Sequence, residues 1–300
     1  MSHLRVQVLG GLNVFRRGGE ALPIAGSCRP ILGYLLTHRQ RPVSRMELAE
    51  TLWADHDGDH ARRCLSTALW RLKKTTARGP PLLTFQGADE VSFNWHAPAW
   101  VDAVAMETRV QPLLRLNPGT LASDAIGRLQ RGVRLYRGDY LIGIDEDWAL
   151  LERQRLRNVY VDGLYHLVLA YAAGSAWAAV IQWGRRLSQE EPLREDVHRL
   201  LMRAYAKAGN RATAIAQYQL CRRVIHDDLG IEPMEETQEL YRELTAAAPR
   251  AGAATPASDP ALIDVARRVG RVRRALAASQ RQLDRVLASL PQGEKPNPAQ

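Results

Sequence analysis

The triplet Ala170-Tyr171-Ala172 returns as Ala204-Tyr205-Ala206, and Val180-Ile181 returns as Ala214-Ile215, each displaced by 34 residues. A unit of that length is a pair of helices, and a single pair cannot bury its own apolar side. Successive pairs must therefore stack along a shared seam, which leaves an extended surface open to a partner. The surrounding chain agrees. From residue 100 to about 248 the apolar spacing is helical, with breaks at Asn117-Pro118-Gly119, Gly174, Glu191-Pro192, Gly209-Asn210 and residues 230–233. The middle of the chain is thus predicted to be an all-α scaffold, and a scaffold of this kind implies no chemistry of its own.

The first hundred residues read differently. Residues 4–8 and 12–15 are short apolar runs with β-branched or aromatic members, split by Gly10-Gly11 and followed by Arg17-Gly18-Gly19. With residues 22–24 they predict a small antiparallel sheet. The glycines mark hairpin turns, since no GxxxxGK[ST] phosphate loop occurs anywhere in the chain. Residues 30–37 suit a short helix with Pro30 in its first turn. Ser44-Arg45-Met46-Glu47 predicts a capping box, the hydroxyl bonding the third helical amide and the glutamate reaching back, at the start of a helix over residues 45–53. Residues 55–59, Asp-His-Asp-Gly-Asp, are expected to be a flexible connector, and after Arg78-Gly79-Pro80-Pro81 the runs 82–85 and 91–95 form a hairpin around residues 86–90.

Between connector and hairpin lies the stretch that suggests a function, residues 60–75. Projected at 100° per residue, Ala61, Leu65, Ala68, Leu69 and Leu72 fall on one stripe, Arg63, Ser66, Thr67, Trp70 and Lys74 fall opposite, and Arg62, Arg71 and Lys73 flank that outer side. One buried seam, several cations, two hydroxyls and an indole are what a helix needs to lie on a polyanion and touch base edges. An ordinary solvated helix can carry the same charges, so the setting decides. A sheet, three helices and a closing hairpin make a winged helix, whose third helix enters the major groove.

Charge supports that reading. The net +9 divides into +5 over residues 1–100, −1 over residues 101–247 and +5 over residues 248–300, so the basic ends suit an anionic partner and the neutral middle does other work. Cys28, Cys64 and Cys221 form no CxxC pair and read as small core residues. Asp55, Asp57 and Asp59 resemble the start of a calcium loop, but the glycine comes one place early and Ser66 stands where the closing glutamate belongs. His56 and His60 are four apart across residues that disfavour a continuous helix, so no metal is expected. No run of 18 apolar residues and no secretion signal is present, so the expected setting is cytoplasmic, associated with the nucleoid and not with a membrane. No nucleophile and base, catalytic carboxylate pair or metal triad can be assembled, so neither an enzyme nor a cofactor is expected. Glu190-Glu191 and Asp227-Asp228 read as solvated loop or helix-end acids.

The segment carrying Leu48-Ala49-Glu50-Thr51-Leu52-Trp53 and Leu69-Trp70-Arg71-Leu72-Lys73 resembles the OmpR/PhoB-type winged helices found in Streptomyces antibiotic regulatory proteins. Residues 136–141, Trp148, Glu152-Arg153, residues 192–195, Tyr218 and residues 229–233 resemble the bacterial transcriptional activator domain that follows in that family. The resemblance covers residues 4 to about 247. It implies a transcriptional activator that binds repeats beside a promoter, recruits RNA polymerase and often serves secondary-metabolite clusters. It carries DNA contact over to Arg63, Thr67, Trp70, Arg71 and Lys73. Trp70 stands where many relatives have a cation, either stacking on sugar or a thymine methyl or packing against a neighbouring protomer.

Past an Ala- and Pro-rich linker, Leu262, Val269, Leu276, Leu283 and Leu290 recur every seven residues, with Val265, Val272, Ser279 and Val286 three later each time. That a/d pattern predicts a coiled coil joining two protomers through Leu262, Val265, Val269, Val272, Leu276, Leu283, Val286 and Leu290. Folding back on the middle domain, or DNA contact through Arg267, Arg268, Arg271, Arg273 and Arg274, are the alternatives.

The expected fold is therefore mainly α. It has an N-terminal α+β winged helix-turn-helix domain over 1–98, an all-α tetratricopeptide-like repeat domain over 99–247, a linker over 248–260, a C-terminal coiled-coil helix over 261–290 and a disordered tail over 291–300. The expected function is sequence-specific activation of transcription, with double-stranded DNA, RNA polymerase and a second copy of the chain as partners. DNA contact is assigned to Arg62, Arg63, Ser66, Thr67, Trp70, Arg71, Lys73 and Lys74. The alternative is a repeat-built protein-interaction adaptor with only weak, non-specific nucleic-acid binding.

Overall fold

A computed structural model of the chain describes residues 4–16, 18–75 and 81–246. The linker, the heptads of residues 262–290 and the tail lie outside the described residues. Strands β1 (Leu4–Gln7), β2 (Asn13–Arg16) and β3 (Ala21–Leu22) are followed by α1 (Cys28–Thr37), β4 (Val43–Ser44), α2 (Arg45–Leu52), α3 (Gly58–Thr75), β5 (Leu83–Gln86), β6 (Glu90–Phe93) and β7 (Ala99–Val101). Leu4, Val6 and Val8 are buried while Arg5 and Gln7 face outward, the alternation of a half-buried strand. Gly10 and Gly11 make the following turn at φ +93° and +114°, where a side chain would be strained.

This part differs from the sequence reading in several places, among them β4, which joins the hairpin as a third strand. The first sheet has the order β3-β2-β1-β7, so a fourth strand, β7, lies parallel to β1 where the sequence predicts that the helical segment has already begun. A three-residue strand carries no periodic signal, and its partner is more than ninety residues away. Residues 55–59 are also not all connector. α3 begins at Gly58, and Asp57 caps it by accepting from the His60 amide at 2.8 Å. His56 remains outside the helix, its ring stacked on that of His60 at 5.0 Å.

The remaining helices are α4 (Asp102–Leu114), α5 (Ser123–Val133), α6 (Asp147–Ala173), α7 (Trp177–Glu190), α8 (Glu195–Lys207), α9 (Arg211–Leu229) and α10 (Glu235–Ala246). They end at the expected breaks, and Gly230 closes α9 in a left-handed cap at φ +71°. Ala170 lies near the end of α6 and Ala204 near the end of α8, while Val180 and Ala214 lie in α7 and α9, and all four are buried. The 34-residue offset therefore superposes one helix pair on the next. At Gly184 a Cβ would come within 2.9 Å of the Leu201 side chain, so α7 and α8 meet there at a distance only glycine permits.

The structure adds one break to those expected: residues 134–146, between α5 and α6, with Gly138 and Gly143 inside it. Leu141 is buried at φ +48°, a conformation that needs outside support. Arg153 supplies it, donating to the Tyr140, Leu141 and Ile144 carbonyls at 2.9, 3.2 and 2.8 Å. Glu190 and Glu191 also differ from expectation, being half-buried and ion-paired with Arg157 at 3.5 and 2.9 Å.

Residues 1–247 form one compact unit. Asp102, fully buried, accepts from the Val8 and Leu9 amides at 2.8 and 3.3 Å and from its neighbour Ala103 at 2.9 Å. Leu141 donates to the Val8 carbonyl at 2.9 Å, and the Thr37 and Tyr140 hydroxyls bond at 2.9 Å. Glu107, from α4, is gripped by Arg39 at 2.7 Å and by Arg155 at 2.6 Å. At Gly33 a Cβ would come within 2.8 Å of Leu141, so α1 sits directly on the 134–146 segment. These contacts tie the helix-bearing N-terminal part to the repeat.

Inside the repeat, His198 is buried and bonded to the Pro192 carbonyl at 3.0 Å and to the Gln217 amide at 2.8 Å. Gln217 can only donate its amide N–H, so the ring accepts at Nδ1 and donates from Nε2, the neutral form. Burial pushes its pKa below the usual histidine value of 6.5. Below pH 6.5 the unfolded chain then binds a proton that the folded chain does not, so stability declines as pH falls. The melting temperature is expected to drop between pH 7.5 and 5.5, and less steeply in His198→Gln. Parallel pH profiles for the two proteins would contradict this.

Candidate nucleic-acid interface

α3 is held by its apolar stripe. Ala61, Leu65, Ala68, Leu69 and Leu72 are all buried, packed beneath α1 and α2, and the Cys28 thiol of α1 donates to the Ala68 carbonyl at 3.5 Å. Arg16 of β2 donates to the Thr75 carbonyl at 3.1 Å, a cation at the negative end of the helix. Cys28 and Cys221 are buried as expected, whereas Cys64, on the flank of α3, is half-exposed.

α2 is fixed more indirectly than its sequence implies. Ser44 caps it as expected, accepting from the Glu47 amide at 3.0 Å. Glu47 does not complete the box. Its carboxylate instead accepts from Arg41 at 2.6 and 2.8 Å and from the Tyr34 hydroxyl at 2.7 Å, because these stronger donors stand beside it. The Arg41 guanidinium, with Tyr34, holds the Glu47 carboxyl below its ordinary range against the opposing pull of burial.

The outer side of α3 presents all eight residues assigned from sequence: Arg62, Arg63, Ser66, Thr67, Trp70, Arg71, Lys73 and Lys74 are each exposed. They do not stand alike. Arg62 is paired with Asp59 at 3.2 Å. Ser66 and Thr67 bond back to the carbonyls of Arg62 and Arg63 at 2.8 and 3.0 Å, which orients their remaining lone pairs outward. Trp70 is 58% exposed, with the Lys74 ammonium 4.9 Å from its ring centre, a cation–π contact along the surface. Arg63 and Arg71 have no carboxylate within ion-pairing distance among the described residues.

Arg45, at the first turn of α2, joins this face by donating to the Ser66 hydroxyl at 2.8 Å. Spacing along α3 gives no hint of it, since its place comes from the crossing of α2 and α3. The Arg45 amide also donates to the Asp89 carbonyl at the hairpin tip at 2.7 Å. Below that contact β4 pairs with β6 (Val43↔Val91) and β6 with β5 (Leu83↔Phe93). The hairpin, α2 and α3 are thereby locked into one surface. Its tip is acidic, with exposed Asp89 and Glu90, so the positive charge of this surface comes from the helices.

Among the described residues, no group of three or more His, Cys, Asp or Glu side chains is placed to hold a metal ion, and no helix is long and apolar enough to cross a membrane.

Comparison with known proteins places this surface in context. Residues 101–245 match the bacterial transcriptional activator domain. Over 246 residues, 82% of the chain, the sequence is 27% identical to the regulatory protein AfsR of Streptomyces coelicolor, although that stretch spans only 24% of AfsR. It is 25% identical to the transcriptional regulator RedD of the same organism, over 82% of this chain and 71% of RedD. It is 24% identical to the regulatory protein DnrI of Streptomyces peucetius, over 85% of this chain and 98% of DnrI. The fold matches that of Mycobacterium tuberculosis EmbR, solved in complex with a low affinity phosphopeptide, with a TM-score of 0.65 and 21% identity over 84% of this chain and 67% of that one. The activator-domain match, with similarity over more than four-fifths of the chain to these named transcriptional regulators, supports a transcriptional activator of the Streptomyces antibiotic regulatory protein type.

Proposed function

We propose that the chain activates transcription by binding promoter DNA through α3. In this reading the helix lies in the major groove with Arg63, Thr67 and Arg71 toward the base edges, while Arg62, Lys73, Lys74 and Arg45 serve the phosphates. One observation supports it above the others: the buried and exposed residues of α3 divide into an apolar seam and a cationic, hydroxyl-bearing face with no acid after Asp59. The division is 1–98 for DNA and 99–247 for the helical repeat, whose surface would receive RNA polymerase. The proposed setting is the cytoplasm, on the nucleoid, and the regulated genes would include a secondary-metabolite or other cluster.

A gel shift on the DNA upstream of the chain's own gene, at physiological salt and with non-specific competitor, separates this from the adaptor reading. Specific retardation is expected. Retardation that the competitor abolishes would favour the adaptor.

Self-association belongs to the same proposal. The heptads of residues 262–290 are expected to join two copies, which suits binding to repeated half-sites. Light scattering should report a dimer for the full chain and a monomer for a chain ended at Ala248. An unchanged subunit number on truncation would remove this part of the proposal.

A further inference from the structure

On the outward side of the first sheet, Arg5 is paired with Phe15 across β2 and with Trp100 across β7. Directly paired residues share a face, so an aromatic, a cation and an aromatic stand in a row across three strands. The Arg5 guanidinium lies 5.2 Å from the Trp100 ring centre. With its oxygen turned toward them, the Gln7 amide accepts from Arg5 Nε at 3.2 Å and from Arg137 Nη2 at 3.1 Å, which holds two guanidiniums side by side. Among the described residues Arg5 has no carboxylate within ion-pairing distance. Arg137 is paired with Asp102 at 3.4 Å and Arg16 with Glu20 at 3.3 Å, so the uncompensated charge of the row is that of Arg5.

The row floors a concave site of about 610 Å³, lined also by Gln7, Arg16 and the glycines 18 and 19. That volume lies within the range of about 300–1,000 Å³ typical of small-molecule sites. We infer that this groove binds a planar aromatic molecule carrying an anionic oxygen group, its ring lying against Phe15 and Trp100 and its carboxylate or phosphate on Arg5. A ring can lie against the half-buried Phe15 and Trp100 side chains, and an anion supplies the counter-charge that the Arg5 guanidinium lacks among the described residues. The site is formed by β1, β2 and β7, so it joins the N-terminal sheet to the strand that leads into α4. None of its lining residues belongs to α3, although Arg16 also reaches the Thr75 carbonyl at the end of that helix.

Titration calorimetry of the full chain tests the inference, with Trp100 followed by its indole N–H resonance, assigned through Trp100→Phe. The probes are indole-3-acetate for the carboxylate source and adenosine monophosphate for the phosphate source. Controls are inorganic phosphate, the neutral indole-3-ethanol and a hexaglutamate peptide. At least one aromatic anion is expected to saturate with a Kd of about 1 mM or tighter, shifting the Trp100 signal. Arg5→Ala, with its melting temperature checked against the parent, is expected to weaken that binding about tenfold or more, and Arg5→Lys less. The inference is overturned if neither aromatic anion saturates, if Arg5→Ala binds them as well as the parent, or if a control binds as tightly as they do.

Discussion

If α3 reads DNA as proposed, Arg71→Ala is expected to lower the affinity of the full chain for its preferred duplex by about 1–3 kcal/mol, roughly 5- to 150-fold, and to leave binding to scrambled DNA nearly unchanged. The size follows from the position. Arg71 stands on the outer side of α3 with no acid to pair with among the described residues, so on entering a groove it surrenders no existing ion pair. A guanidinium that reads a guanine edge does so with two hydrogen bonds that the wrong base cannot return. Lys74→Ala provides the contrast. Its ammonium is a point charge along the Trp70 ring, suited to phosphate, so its loss is expected to weaken matched and scrambled DNA alike and to reduce the salt slope by about one. Fluorescence anisotropy at several salt concentrations separates the two patterns. Equal losses on both duplexes for Arg71→Ala would remove it as a base reader.

Asp102→Ala lowers stability by about 2–5 kcal/mol, because it strips the acceptor from the buried Val8 and Leu9 amides, each costing about 1–3 kcal/mol when orphaned. For a unit of this size that is a fall in melting temperature of about 5–15 °C. Burial pushes the Asp102 carboxyl above its ordinary range, opposed by the three amide donors and Arg137. Asp102→Asn, which keeps one acceptor, should recover part of the loss. Thermal denaturation followed by circular dichroism measures both. A melting temperature within about 2 °C of the parent for Asp102→Ala would contradict the account of how the sheet is tied to α4.

What could be read before the structure was whatever repeats along the chain. α3 was legible residue by residue, since an 18-residue helix holds its period long enough for the stripe from Ala61 to Leu72 to stand out. The helix pairs of the middle were legible for the same reason, at a period of 34 residues. β7 was not, because three residues show no alternation and its place depends on β1. The 134–146 break does not follow from the apolar pattern, although Gly138 and Gly143 lie in it, because its path depends on a residue outside it. It is shaped by Arg153, a residue on the following helix. Arg45 does not show in the spacing along α3 because it reaches Ser66 only through the crossing of two helices. Glu47 shows the same limit in reverse, since only the Ser44 half of the capping box forms and the Glu47 carboxylate is taken by Arg41 and Tyr34.

The central claim is that α3 seats its cationic face against specific base pairs. Selection of the purified full chain on a pool of random double-stranded DNA tests it most directly. The account predicts enrichment of a defined motif, present as repeats, that Arg71→Ala no longer distinguishes from the unselected pool. Successive rounds that enrich no duplex sequence would contradict it and leave the helical repeat to account for the molecule.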